Sequence, residues 1–279
     1  MIMERPDVTS INTVPKLFWY NVEHYRDDVT MWRKHRGVWE PHTWGDYGNW
    51  SRDIGHALIG QGLKSGDKIS IISETRMEWV ILDMAIMSVG CITAPVYPSN
   101  TEEQVKYIIK HSESKVVFAE DQEQLDKMLV IWKDLPLVEK VVVFDKYYPH
   151  DLPNVITLND YRALGKTHRR KNPGKFEERL VSIKPKDIIS FTYTSGTTGH
   201  PKAGMFNSNN VISVAKNLPD MLPTDRGDLG ISYLPLSHIA ERLLGHFIKL
   251  YSGYVTVFAD SMEDMPYNLR QTGPTIMFG

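Results

Sequence analysis

The run Lys68-Ile-Ser-Ile-Ile72-Ser-Glu-Thr-Arg-Met-Glu-Trp79-Val-Ile-Leu-Asp-Met-Ala-Ile-Met87-Ser-Val-Gly90-Cys-Ile92-Thr-Ala-Pro-Val96 reads as strand, helix, strand. Two short β-branched runs flank a segment, Glu74 to Gly90, that is apolar on most faces and is therefore expected to be a buried helix. Upstream, Thr43-Trp-Gly-Asp46 has capping-box spacing with Asp in place of the usual Glu, and Gly62 is placed to stop the helix that follows. Downstream, Thr101 or Asn100 caps a helix Glu102–His111. Lys115–Ala119 is then a strand, Gln122–Asp134 a helix and Lys140–Phe144 a strand. Strands alternating with helices of this length imply βαβ units, hence an α/β fold with doubly wound, largely parallel sheets and flanking helices.

A second α/β stretch is expected from strand Asp187–Tyr193 through strand Ala203–Phe206, helix Asn209–Asn217, strand Gly230–Leu234, helix Ile239–Tyr251, strand Tyr254–Ala259 and helix Glu263–Gln271 to strand Pro274–Phe278. Between the two stretches, Leu164–Lys175 carries His168-Arg-Arg-Lys171 and Asn172-Pro-Gly174, and charge with Pro-Gly reads as a solvated linker. It suggests a subdivision into 1–165 and 175–279.

Composition narrows the function classes. Of 279 residues 42% are hydrophobic and 24% charged, which suits a folded core and excludes disordered classes. Thirty-two basic residues against 34 acidic ones leave no dominant basic field, so nucleic acid is not an expected partner. The single Cys91 rules out an internal disulfide and a cysteine zinc site. No apolar run reaches the roughly 18 residues of a spanning helix, and no secretory leader is seen at Met1, so a cytoplasmic location is expected.

The chemistry is concentrated in Phe191-Thr-Tyr-Thr-Ser-Gly-Thr-Thr-Gly-His-Pro-Lys-Ala-Gly204. Gly196 and Gly199 permit close backbone approach, Thr192, Thr194, Ser195, Thr197 and Thr198 supply hydroxyl donors, and Lys202 adds a mobile cation. That inventory suits a polyphosphate. It is not a Walker A loop, because Pro201 precedes Lys202 and the next residues read as strand rather than helix. The expected shape is a strand–loop–strand clamp.

Tyr193–Lys202 resembles the signature loop of the adenylate-forming superfamily, and a chance match to its eight fixed positions is on the order of 10⁻¹⁰ per site. Thr43-Trp44, Gly66-Asp67-Lys68, Pro95-Val-Tyr-Pro98 and Glu103-Gln-Val-Lys-Tyr-Ile108 are similar to the superfamily's N-terminal landmarks. Ser232-Tyr-Leu-Pro-Leu-Ser-His-Ile-Ala-Glu-Arg242 is similar to a core motif of long-chain fatty acyl-CoA synthetases. Ala203 departs from the superfamily's usual glycine.

The resemblance implies activation of a fatty acid carboxylate by ATP and Mg²⁺ to acyl-AMP and pyrophosphate, then transfer to coenzyme A. It assigns Thr194, Ser195, Gly196, Thr197, Thr198, Gly199 and Lys202 to the phosphates and His238 to the acyl carboxylate, with Lys202 and His238 the residues expected to act in catalysis. It offers no metal ligand. For Glu241 and Arg242, helical spacing from His238 leaves a local ion pair and a supporting role both open. By the same resemblance the chain is expected to be an N-terminal portion of the large adenylation domain. The rest of that domain and the small C-terminal domain would be absent, and residues 1–279 would be inactive alone. A non-catalytic nucleotide binder and an adenylate-former for aryl or amino acids remain as alternatives, and peripheral membrane contact is left open.

Overall fold

The computed structural model describes residues 6–145, 154–194, 201–217, 223–259 and 261–278. Its first half runs α1 (Val14–His24), β1 (Val29–His35), β2 (Val38–Thr43), α2 (Trp44–Gly60), β3 (Lys68–Ile72), α3 (Met77–Ser88), β4 (Ile92–Val96), α4 (Glu102–Ser112), β5 (Ser114–Ala119), α5 (Gln122–Ile131) and β6 (Lys140–Val143). There follow β7 (Val155–Thr157), α6 (Leu158–Lys171), α7 (Lys175–Ser182), β8 (Ile188–Thr194), β9 (Lys202–Asn207) and α8 (Ser208–Asn217). The last part holds β10 (Leu229–Ser232), α9 (Ile239–Glu241), a π-helical segment Arg242–Phe247, α10 (Ile248–Ser252), β11 (Val255–Phe258), α11 (Met265–Thr272) and β12 (Ile276–Met277).

The chain is α/β, as read. Among the described residues the strands form two sheets. One has the order β7-β6-β5-β3-β4-β8-β9 and is parallel except at the β8–β9 hairpin. The other has the order β12-β10-β11-β1-β2 and is parallel except at the β1–β2 hairpin. Alternation along each strand divides the larger sheet's side chains between two faces. Ile69, Ile71, Val116, Phe118 and Val142 pack in one core with α1, α2 and α3. Ile72, Val117, Ala119, Val141 and Val143 pack in another with Val105 and Ile108 of α4 and Leu125 and Met128 of α5.

Local chemistry starts and stops these elements where the sequence reading put them. Thr43 Oγ1 accepts from Asp46 N at 3.1 Å while Thr43 N donates to Asp46 Oδ2 at 3.0 Å, closing the capping box of α2. Gly62, just past that helix, has φ +94°, the left-handed backbone that glycine adopts without a Cβ penalty. Helix α3 has eleven buried residues of twelve, Glu78 being the exception. Fully burying each of its large aliphatics contributes roughly 1.5–3 kcal/mol.

The Leu164–Lys175 stretch is a correction. It is not a linker: Leu164–Lys171 is the second half of α6, and α7 begins at Lys175. Gly165 lies so close to α2 that a Cβ would sit 1.7 Å from Asp53 O, so the absence of a side chain lets the two helices seat together. His168, Arg169, Arg170 and Lys171 fall in the last turn, where positive charge meets the negative end of the helix dipole. Both sheets also draw strands from either side of residues 165–175: β1 pairs with β11, and β4 with β8.

Candidate functional site

The glycine- and hydroxyl-rich loop leaves the carboxyl end of β8, which is parallel to β4 at Thr93↔Ser190, and returns along β9. Thr194 faces Lys202 across the antiparallel ladder, so the two ends of the loop are held opposite each other. This is the expected strand–loop–strand arrangement. Thr194 and Lys202 are exposed. Ser195, Gly196, Thr197, Thr198 and Gly199 lie outside the described residues.

The segment carrying His238 is fastened to the same edge of the larger sheet. Thr75 Oγ1, just past β3, donates to Leu234 O at 2.6 Å and accepts from Leu236 N at 3.0 Å. Ser237 Oγ donates to Val96 O, the end of β4, at 3.3 Å. In parallel α/β sheets ligands bind outside the carboxyl ends of the strands where the strand order reverses. Here β3 is flanked by β4 on one side and β5 on the other, and that is where the strap docks. A cavity of about 170 Å³ lies there, lined by Thr75, Arg76 and Glu120 beyond the strands of the larger sheet, by Glu78 of α3, and by Phe258 at the end of β11 with Ala259 after it. Arg76 is held by Glu78 at 2.8 Å, Glu120 at 3.1 Å and Asp145 at 2.9 Å, so its charge is already matched.

His238 itself is exposed and caps α9, its Nδ1 accepting from Ala240 N at 3.2 Å. A ring nitrogen that accepts carries no proton, so in the neutral imidazole the N–H is at Nε2. No hydrogen bond joins His238 to Thr194 or Lys202 among the described residues.

Glu241 and Arg242 do not pair locally, which corrects the simpler of the two readings. Arg242 reaches back across the core to Asp83 of α3, Nε at 2.9 Å from Oδ2 and the guanidinium terminus in contact with Oδ1, and it also donates to Ser190 Oγ. Thr93 Oγ1 donates to Asp83 Oδ1 at 2.7 Å. Asp83 and Arg242 are 0% and 1% exposed, so two charges removed from water are matched to each other inside the core. Glu241 accepts instead from Ser232 Oγ at 2.6 Å, and burial pushes its carboxyl up to about 7. In the π-helical turn that follows, Gly245 leaves room for that carboxylate, since a Cβ there would come within 2.4 Å of Glu241 Oε1.

Several residues of this site were given no role from sequence: Thr75, Asp83, Ser190 and the α4 pair Tyr107 and His111. Asp83 did leave a signal, being the only charged residue of Trp79–Met87. Among the described residues no three carboxylate, imidazole or thiol side chains converge to hold a metal ion, and no helix is long and apolar enough to cross a membrane.

Comparison with known proteins fits this architecture. The family model described as AMP-binding enzyme matches residues 18–279, and the chain belongs to that family. It is 28% identical over 286 residues to the long-chain-fatty-acid–CoA ligase ACSBG2 of Xenopus laevis, covering 99% of this chain and 38% of that protein. It is 30% identical over 261 residues to the long-chain-fatty-acid–CoA ligase FadD15 of Mycobacterium tuberculosis, covering 91% of this chain and 42% of that protein. The chain thus spans about two-fifths of the length of these relatives. Among solved structures, the anthranilate CoA ligase AuaEII in complex with anthranoyl-AMP superposes with a TM-score of 0.80 at 19% identity, over 96% of this chain and 49% of that one. The luciferase-like enzyme of the mealworm Zophobas morio gives 0.80 at 16%, over 99% and 61%. VinN with L-aspartate gives 0.75 at 20%, over 95% and 61%. At these identities the structural matches establish the fold alone.

Proposed function

We propose that this chain is the N-terminal portion of the large domain of a fatty acid–CoA ligase, handling ATP and the acyl carboxylate. The observation that carries the reading is the placement of two independent motifs on one sheet edge. The β8–β9 hairpin sets Thr194 opposite Lys202, and the strap bearing His238 is tied by Thr75 and Ser237 to the ends of β3 and β4. The names of the curated relatives support a long-chain fatty acid as substrate.

In this reading the acyl carboxylate oxygen attacks the α-phosphorus of ATP, a new P–O bond forms, and the bond to the bridging oxygen breaks to release pyrophosphate. Negative charge gathers on the departing group, and Lys202 with the hydroxyls and amides of residues 194–199 offsets it. Orientation and electrostatic stabilisation supply most of the catalysis. His238 donates from Nε2 to a carboxylate oxygen and aims the other at phosphorus. Its Nδ1 is occupied by the Ala240 amide, which suits an orienting donor rather than a proton shuttle. Mg²⁺, entering with ATP, would supply further charge neutralisation. No carboxylate set among the described residues is built to hold it, so no step is routed through it. Coenzyme A is the acceptor thiol.

A second reading is adenylation of an aryl or amino acid, since the anthranilate ligase and VinN share this fold and the fold alone does not choose between acids. Both readings are tested by carboxylate-dependent ATP–pyrophosphate exchange on the protein expressed from its complete reading frame. The first expects exchange with long-chain fatty acids, falling tenfold or more in Lys202→Ala, as loss of a hydrogen bond from a charged group implies. Preference for benzoate-type or amino acids would support the second. No exchange across a broad acid panel would sink both.

A further inference from the structure

The hairpin that carries Thr194 and Lys202 is gripped from the side by α4. Tyr107 Oη donates to Pro201 O at 3.1 Å, one residue before Lys202. His111 Nδ1 lies 3.0 Å from Tyr193 Oη, one residue before Thr194. Tyr107 and His111 are four apart, hence neighbours on one helix face, and their rings stack with centroids 5.5 Å apart at 25°. The His111 ring meets the Tyr193 ring edge-on at 5.7 Å and 80°. Burial pushes the Tyr193 phenol up to about 12, so it is a neutral donor at ordinary pH.

The platform behind this pair is rigid. Helix α4 begins in a capping box, Thr101 with Gln104, and buries Val105, Ile108 and Ile109 against the larger sheet. By contrast, β9 is an outer strand whose side chains are exposed or half-buried. Among the described residues it pairs with β8 alone, so no second ladder helps to hold its first residue. The Pro201 carbonyl lies outside the ladder, which begins at Lys202. Tyr107 gives it a side-chain partner.

From this geometry we infer that Tyr107 and His111 are positioning residues for the phosphate loop: one fixes its exit beside Lys202, the other its entry beside Thr194. This rests on the reading of the loop as an ATP site. Holding both stems in the free protein removes an ordering cost that would otherwise be met on binding nucleotide, so the effect falls on ATP and not on the acid. Neither side chain is placed to touch the reacting atoms.

The test uses ATP–pyrophosphate exchange by the protein from its complete reading frame, with an ATP-induced rise in Tm as a second readout. Tyr107→Phe keeps the ring and removes the hydroxyl, and should raise KM for ATP about fivefold with KM for the fatty acid unchanged. His111→Ala should do the same. His111→Asn, whose amide can stand where Nδ1 stands, should restore most of the loss. Tm without ATP should stay within about 2 °C of the parent in all three. Equal changes in both KM values, no change in either, or failure of the asparagine to restore would overturn the inference. If the parent binds ATP without carboxylate-dependent exchange, the ligase reading fails, and the inference is decided by the Tm shift in the same variants. If the parent shows neither response, both fall.

Discussion

Replacing Asp83 by Asn should be among the most damaging single changes to this fold. The substitution preserves shape but removes the only carboxylate in contact with the buried guanidinium of Arg242 among the described residues. Leaving one member of a buried ion pair uncompensated costs about 3–5 kcal/mol, against about 5–15 kcal/mol for a whole domain. An unfolding entropy of about 2.1 cal/mol/K per residue over 279 residues is about 0.6 kcal/mol/K, so a loss near 4 kcal/mol lowers Tm by about 7 °C. The assay is thermal unfolding followed by circular dichroism, with urea titration for the free energy.

The double variant Asp83→Leu with Arg242→Met separates charge from packing. The Trp79 ring lies 5.2 Å and the Phe247 ring 5.3 Å from the guanidinium, so an apolar pair of similar volume should recover part of the loss, the remainder being the hydroxyls of Thr93 and Ser190 that lose a partner. A single-variant cost below about 1 kcal/mol would refute the reasoning. So would a double variant no more stable than the single one.

Three further outcomes follow from the same packing. Glu241 has a folded-state pKa raised to about 7, so its favourable contribution is fully present below the ordinary carboxylate value and is lost as pH rises through about 7. The stability difference between the parent and Glu241→Gln should shrink by roughly 3 kcal/mol over that window, and a flat difference would contradict it. Gly165→Ala would drive a Cβ to 1.7 Å from Asp53 O, so urea unfolding should show a loss of at least about 2 kcal/mol, and a neutral result would mean that α6 and α2 are not seated as described. The Cys91 thiol is 1% exposed and pushed up to about 12 by burial, so a thiol reagent should label the native chain about a hundredfold more slowly than the unfolded one. Fast labelling of the native chain would argue against its burial.

Much of the fold could be read along the chain because its signals are local. The capping residues Thr43 and Thr101, the stop at Gly62 and the apolar run of α3 each act within a few residues of themselves, and each stands where it was read. Strands β1 and β2 leave no comparable signal, since Val29-Thr-Met-Trp-Arg-Lys-His35 does not alternate apolar with polar residues and β2 carries Pro41. A proline is tolerated there because β2 closes the smaller sheet as its edge. The charge of α6 and the Pro173-Gly174 that follows it masked a helix whose start is capped locally by Thr157 and whose seat against α2 is set by Gly165 beside Asp53 O.

The sequence by itself determined the α/β class, the strand–loop–strand order around Thr194 and Lys202, and the chemical character of the loop between them, because hydroxyls, glycines and a lysine keep their chemistry wherever the chain takes them. Tertiary structure alone decided the partner of Arg242, which ignores Glu241 beside it for Asp83, 159 residues away. It also decided that α4 would brace the loop's two stems and that the His238 strap would meet the ends of β3 and β4. Such pairings depend on which surfaces the sheet order brings together in a water-free interior. There an unmatched charge or hydroxyl is costly, and no periodicity along the chain records which distant group will satisfy it.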